Sequence, residues 1–174
     1  MLDRFIRLLR HRWHEPSSAR RVLPPAALER LLHRVQASEQ RHSGEIRVYI
    51  EAGLPTRYAW RRGTLREIVR ARALSIFGKL RVWDTEHNNG VLIYLLLAER
   101  AIEIVADRGI ARQVSPEDWQ AMIARMAVAF REERFEDGLT QALEEVSAVL
   151  VERFPLTAGM ANPNELPDRP VITP

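Results

Sequence analysis

The chain reads as an α/β protein, a three-layer α/β/α sandwich around a small mixed β-sheet. Three observations predict this. Helical and strand-like periods alternate along 174 residues, a length suited to one domain with extensions. The run Val91 to Leu97 is apolar without alternation, so helices must cover both of its faces. Only Ala98-Glu-Arg-Ala101 separates it from Ile102 to Ala106, so a tight antiparallel hairpin joins the two. A right-handed parallel crossover through a helix links an earlier strand to this hairpin.

The elements follow in order. Leu2, Phe5, Ile6, Leu9 and Trp13 recur at helical spacing among Arg4, Arg7 and Arg10, a short basic amphipathic helix that Pro16-Ser17-Ser18 ends. Pro24-Pro25 opens a second helix, whose stripe is Leu28, Leu31, Leu32 and Val35 and which stops at Gly44. From Glu45 to Ala52, Ile46, Val48 and Ile50 alternate with Arg47, Tyr49 and Glu51, a strand with one better-buried face, near a sheet edge. Thr64-Leu-Arg-Glu67 is a capping box, and the helix behind it buries Val69, Ala73, Ile76, Phe77 and Leu80. Ser115-Pro116-Glu117-Asp118 starts another helix, with the stripe Trp119, Met122, Ile123, Met126 and Phe130. The last helix uses Phe135, Leu139, Leu143, Val146 and Leu150. Five of the ten prolines fall in the tail from Pro155, which is expected to be extended or disordered. The organisation is thus an arm over 1–22, a domain over 23–154 and a tail over 155–174.

Composition removes several chemistries. There is no cysteine, so disulfides, thiolate metal sites and cysteine nucleophiles are excluded. No Gly-rich phosphate loop and no Gly-x-Ser-x-Gly elbow occurs. The longest apolar run, Val91 to Ala98, is far short of a membrane span, and arginines interrupt any signal-like core at the start. A cytoplasmic location is expected, peripheral to a membrane at most. Residues 1–22 carry six arginines against Asp3 and Glu15, a net +4, so the remainder carries −1 of the overall +3. A near-neutral body argues against nucleic-acid binding. The basic helix at 1–14 either packs on its own domain, docks on a protein partner or lies on an anionic membrane surface. His11 and His14 on that arm lack a third ligand and read as solvent-exposed.

The polar octet Trp83-Asp-Thr-Glu-His-Asn-Asn-Gly90 directly precedes the buried strand. A two-residue turn at Glu99-Arg100 would set Asp107 opposite Leu92, at the octet's end of the sheet. The parallel crossover brings Glu45 to that end too. Glu45, Asp84, Glu86, Asn88, Asn89 and Asp107 therefore converge from three parts of the sequence, with the Ser115 helix start nearby. Their carboxylate and amide oxygens are hard ligands of the kind calcium or magnesium takes. Asn-Asn-Gly is also ordinary turn chemistry. His87 reads equally as a turn histidine or as a general acid or base.

These residues carry a resemblance. Glu45-Ile-Arg-Val, then Asn88-Asn-Gly-Val-Leu-Ile-Tyr-Leu, Ile102-Glu-Ile-Val-Ala-Asp-Arg-Gly and Phe130-Arg-Glu-Glu-Arg-Phe-Glu-Asp-Gly138 resemble the TPM domain over roughly residues 25–153. That family includes thylakoid-lumen proteins linked to photosystem II repair and many bacterial proteins, and this chain is similar to its short cytoplasmic bacterial branch. The resemblance implies an α/β/α sandwich, a divalent-cation site and, as attributed to plant members, phosphatase activity. Two positions depart from its signature: Asn88 stands where an aspartate is usual, and Asp107 stands at the first glycine of a Gly-x-Gly segment. Under this reading Glu45, Asp84, Asn88, Asn89 and Asp107 hold calcium or magnesium, the metal activates water, and His87 donates a proton. The alternative is a non-catalytic interaction module of an envelope-associated assembly.

Overall fold

The computed structural model describes residues 16–157, 159 and 161–173. The chain runs through α1 (Pro16–Val22), α2 (Pro25–Glu39), β1 (Glu45–Glu51), α3 (Thr56–Ala59) and α4 (Leu65–Lys79). It continues through β2 (Gly90–Leu96), β3 (Ala101–Ala106), α5 (Arg108–Ala111), α6 (Pro116–Arg131), α7 (Phe135–Arg153) and β4 (Val171–Thr173). The strands form one mixed sheet in the order β3-β2-β1-β4. Its central pair, β1 and β2, is parallel with α3 and α4 in the connection, as the crossover requires.

Two apolar layers sandwich the sheet. On one face Leu31 and Val35 of α2, Met126 and Phe130 of α6, and Leu139, Leu143 and Val146 of α7 pack on Ile46, Val48, Val91, Ile93 and Ile104. On the other face α4 packs Ile68, Val69, Ala73 and Ile76 on Leu92, Tyr94, Leu96 and Val105. All seven residues of β2 are buried, which is why its sequence does not alternate. Helix starts follow local chemistry. Thr64 and Glu67 form the reciprocal capping box on α4, and Ser115 Oγ accepts from Asp118 N–H at 3.0 Å ahead of Pro116 in α6.

Two expectations are corrected, and one helix is new: α1 begins at Pro16, a position its missing N–H suits. β1 is not at an edge: it is buried along its whole length, and β4 pairs in parallel with its last three residues, Tyr49 opposite Val171. The tail that supplies β4 thus runs extended and returns to the sheet. The hairpin loop is Leu97–Arg100, a 3-10 turn closed by Arg100 in the left-handed region, because Ala98 N–H is drawn to Ala52 O at 3.0 Å. This moves the register by two residues, so Val91 faces Ala106 and the inward and outward faces are preserved. The basic helix expected at 1–14, with its histidine pair, lies outside the described residues.

Candidate functional site at the sheet rim

Three strands meet at the rim in one row. Glu45 is in register with Gly90 across the parallel pair, and Asp107 N–H donates to Gly90 O at 2.9 Å from the other side. The expected convergence of Glu45 and Asp107 on the start of β2 is therefore present. A Cβ on Gly90 would lie 1.9 Å from the Val82 carbonyl oxygen, so that carbonyl sits over the middle of the row and only glycine fits beneath it. Val82, from the loop after α4, is fully buried.

The octet divides into residues that turn inward and residues that do not. Asn89 is fully buried; its N–H donates to Thr85 Oγ1 at 3.1 Å and its Nδ2 to Ser43 O at 3.0 Å. Asn88 adopts φ 53°, a conformation asparagine tolerates, and its carbonyl accepts from Gly109 N–H at 3.0 Å. A Cβ on Gly109 would approach that carbonyl to 2.5 Å, which is the local reason for glycine after Asp107-Arg108. Asp84, Glu86 and His87 are exposed and stand outside the cluster. The Asp84 carboxylate lies 4.0 Å from Arg81, and Glu86 contributes its backbone N–H to Glu165 Oε1 at 3.0 Å.

Among the inward residues, three carry a buried oxygen with no hydrogen-bond partner among the described residues: Glu45 Oε1, Asn89 Oδ1 and Asp107 Oδ2. Their other polar atoms are engaged. Glu45 Oε2 accepts from Leu166 N–H at 3.0 Å, and Asp107 Oδ1 caps α5 by accepting from Arg108 N–H at 2.7 Å. Burial pushes the Glu45 carboxyl above its ordinary range, against the backbone N–H groups of Leu166 and Glu165 and the Asn162 amide; the Glu165 charge adds to the rise. Orphaned buried acceptors are costly, and a small cation is one partner that would satisfy them. No group of three or more His, Cys, Asp or Glu residues able to hold a metal occurs among the described residues. Any cation here must therefore draw on amide and backbone oxygens as well as on two carboxylates. Calcium and magnesium accept such a mixture, completed by water.

Several neighbours escaped sequence reasoning. Arg108 Nε donates to Asn88 Oδ1 at 2.7 Å, so at the signature position the side-chain oxygen serves a guanidinium. Behind Glu45, Glu39 Oε1 accepts Ile46 N–H at 2.9 Å. Burial first, then the charges of Glu45 and Asp168, raise its carboxyl to about 8; Ile46 N–H and Arg47 oppose this. On the α4 face of the sheet Arg72 binds Glu51 through Nε at 2.9 Å, and Tyr94 Oη donates to Glu51 at 2.6 Å. Arg72 lies in phase with Val69, Ala73 and Ile76, the one sequence signal that it would be buried. The Asn162 to Leu166 segment, which closes over Glu45, has no such signal.

A mixed sheet between two helical layers, with a polar rim built from the start of a buried strand, defines a class of α/β/α domain. The TPM domain family matches residues 18–149, and the chain belongs to that family. Among solved structures it is similar to the BA42 protein from the psychrophilic bacterium Bizionia argentinensis, at 26% identity and a TM-score of 0.71, covering 87% of this chain and 95% of that one. It also shares its fold with the N-terminal domain of a P. gingivalis protein, at 22% identity and a TM-score of 0.57, covering 78% and 83% of the two chains. No curated protein matches. Among the described residues no helix is long and apolar enough to cross a membrane.

Proposed function

We propose that this TPM-domain protein binds a divalent cation, calcium or magnesium, at the sheet rim. The observation that carries the reading is the set of unpartnered buried oxygens on Glu45, Asn89 and Asp107, three residues whose chemistry already marked them as ligands in the sequence. The Val82 carbonyl over Gly90 is a fourth hard oxygen in reach of the same row. With two carboxylates the affinity belongs in the weak range, a Kd of about 10⁻⁴–10⁻³ M. A bound ion would polarise a phosphoryl oxygen and activate water. Arg108, exposed beside Asp107, suits a phosphoryl anion, and His87 on the exposed loop is the available proton donor. The interaction-module reading is favoured by the Arg108 contact to Asn88, which uses an oxygen that a metal would need. Residues 1–14 would then supply the surface for a protein partner or an anionic membrane.

Thermal melting and ¹⁵N amide shifts in calcium, magnesium and manganese test this, with phosphomonoester hydrolysis measured alongside. At 10 mM ion and a Kd of 1 mM, linkage gives about 1.4 kcal/mol, a rise of roughly 3–5 °C. The shifts should centre on Gly90, Val82 and Asp107. Asp107→Asn keeps an α5 cap and should weaken binding at least tenfold. No rise in Tm and no shift with any of the three ions at 10 mM would remove the cation reading; binding without hydrolysis would leave the non-catalytic form of it.

A further inference from the structure

Among the described residues the sheet has one edge without a strand: β4 closes the β1 side, whereas none of them pairs beyond β3. Backbone groups in an antiparallel pair point alternately toward the partner and away from it. Asp107 N–H is directed at Gly90 O, so the alternate residues Ile102, Ile104 and Ala106 turn their N–H and C=O groups to the open side. Arg70 reaches that side from α4: its Nη1 donates to Ile104 O at 2.6 Å and to Glu103 Oε1 at 2.9 Å. Open edges are usually shortened, charged or covered, and here a single arginine side chain covers one carbonyl.

The edge lies along a groove of about 360 Å³ between α4 and α6. Arg66 and Arg70 form one wall, Trp119 and Ile123 the other. Tryptophan and arginine are the residue types that most often anchor interfaces. Arg66 is exposed and makes no salt bridge with a described residue, so two guanidinium groups stand over the single carboxylate of Glu103. At the opposite edge the molecule already accepts an added strand of only three residues, Val171–Thr173.

We propose that this groove docks an extended segment of a partner protein, added as a strand to the outer edge of β3. An acidic side chain of the segment meets Arg66, and an apolar one lies against Trp119 and Ile123. The row of outward amides and carbonyls requires an extended backbone, and the positive excess of the arginine wall selects for acid. The site is separate from the rim cluster and does not depend on a cation there.

The test uses the full chain and two synthetic probes, acetyl-Thr-Val-Glu-Val-Thr-amide and the same peptide with lysine for glutamate, followed by ¹⁵N amide and Trp119 indole shifts. The acidic probe should bind with a sub-millimolar Kd and shift residues 101–106 together with Trp119, and the lysine probe should bind at least fivefold more weakly. Arg66→Glu, at an exposed position, should reverse that preference. Ala106→Pro removes one outward N–H without touching a ladder bond to β2, which edge strands tolerate, and should lower affinity at least tenfold while the melting transition stays cooperative. Should that variant fail to fold, the reversal by Arg66→Glu decides the matter alone. Equal binding of both probes, shifts centred elsewhere, or no shifts at millimolar peptide would each overturn the proposal.

Discussion

A methyl group on residue 90 would stand 1.9 Å from Val82 O, a contact with backbone that no rotamer change relieves. Gly90→Ala should therefore cost about 3 kcal/mol or more, read as a lower denaturant midpoint in chemical unfolding. A loss under about 0.5 kcal/mol would mean that the loop after α4 is not held against β2 as described. The same residue explains how a sequence of six polar side chains can precede a buried strand. Thr85 Oγ1 accepts the Asn89 N–H beneath the surface, Asn88 takes the left-handed turn, and Asp84, Glu86 and His87 remain in water. Side-chain direction within the octet depends on this turn and not on residue type, so sequence alone selected Asp84 and His87 as readily as Asn89.

Among the elements, β4 has the least sequence signal and a clear consequence. Its three residues convert β1 from an edge strand into a central one, and Thr173 O accepts Ala52 N–H at 3.0 Å while Thr173 Oγ1 donates to Tyr49 Oη at 3.1 Å. Deleting residues 171–174 should leave a folded protein whose Tm falls by several degrees, since about 1 kcal/mol corresponds to some 2–4 °C at this size. Amide exchange should accelerate first at Ala52. Unchanged exchange there would show that the tail pairing is not formed in solution. α4 is held differently: Arg72 and Tyr94 converge on Glu51, a buried charge that would be costly without them.

Across the whole molecule Glu39 and His42 carry the largest opposing contributions, among the described buried acids and histidines, to the pH dependence of stability. Glu39 is raised from 4.5 to about 8, chiefly by burial. Its folded form keeps a proton that the unfolded chain releases above pH 4.5, so its stabilisation is complete below that pH and is lost as pH rises toward 8. His42 is fully buried and lowered from 6.5 to about 4, again chiefly by burial. Its contribution is complete above pH 6.5 and is lost as pH falls toward 4. Between about 4.5 and 6.5 the two slopes oppose each other, and from 6.5 to 8 Glu39 is no longer opposed by His42, with a limiting slope of about 1.4 kcal/mol per unit; the raised carboxyls of Glu45 and Glu103 act in the same sense as Glu39. The Tm should be level near pH 5–6 and fall toward pH 8. Glu39→Gln, which can still accept from Ile46 N–H, should flatten that alkaline fall. An equally steep fall in this variant would place the titrating group elsewhere.

Period, caps and turn residues by themselves determined the two helical layers, the buried strand β2, the parallel crossover and the meeting of Glu45 with Asp107 at one rim. All of these follow from local chemistry and the two-residue repeat of a strand, which survived even the displaced hairpin register. Tertiary structure alone decided the rest: the addition of β4, the burial of Glu39, and which oxygens at the rim are left without partners. These depend on contacts between residues far apart in the chain, such as Leu166 on Glu45 and Val82 over Gly90, for which no local pattern exists.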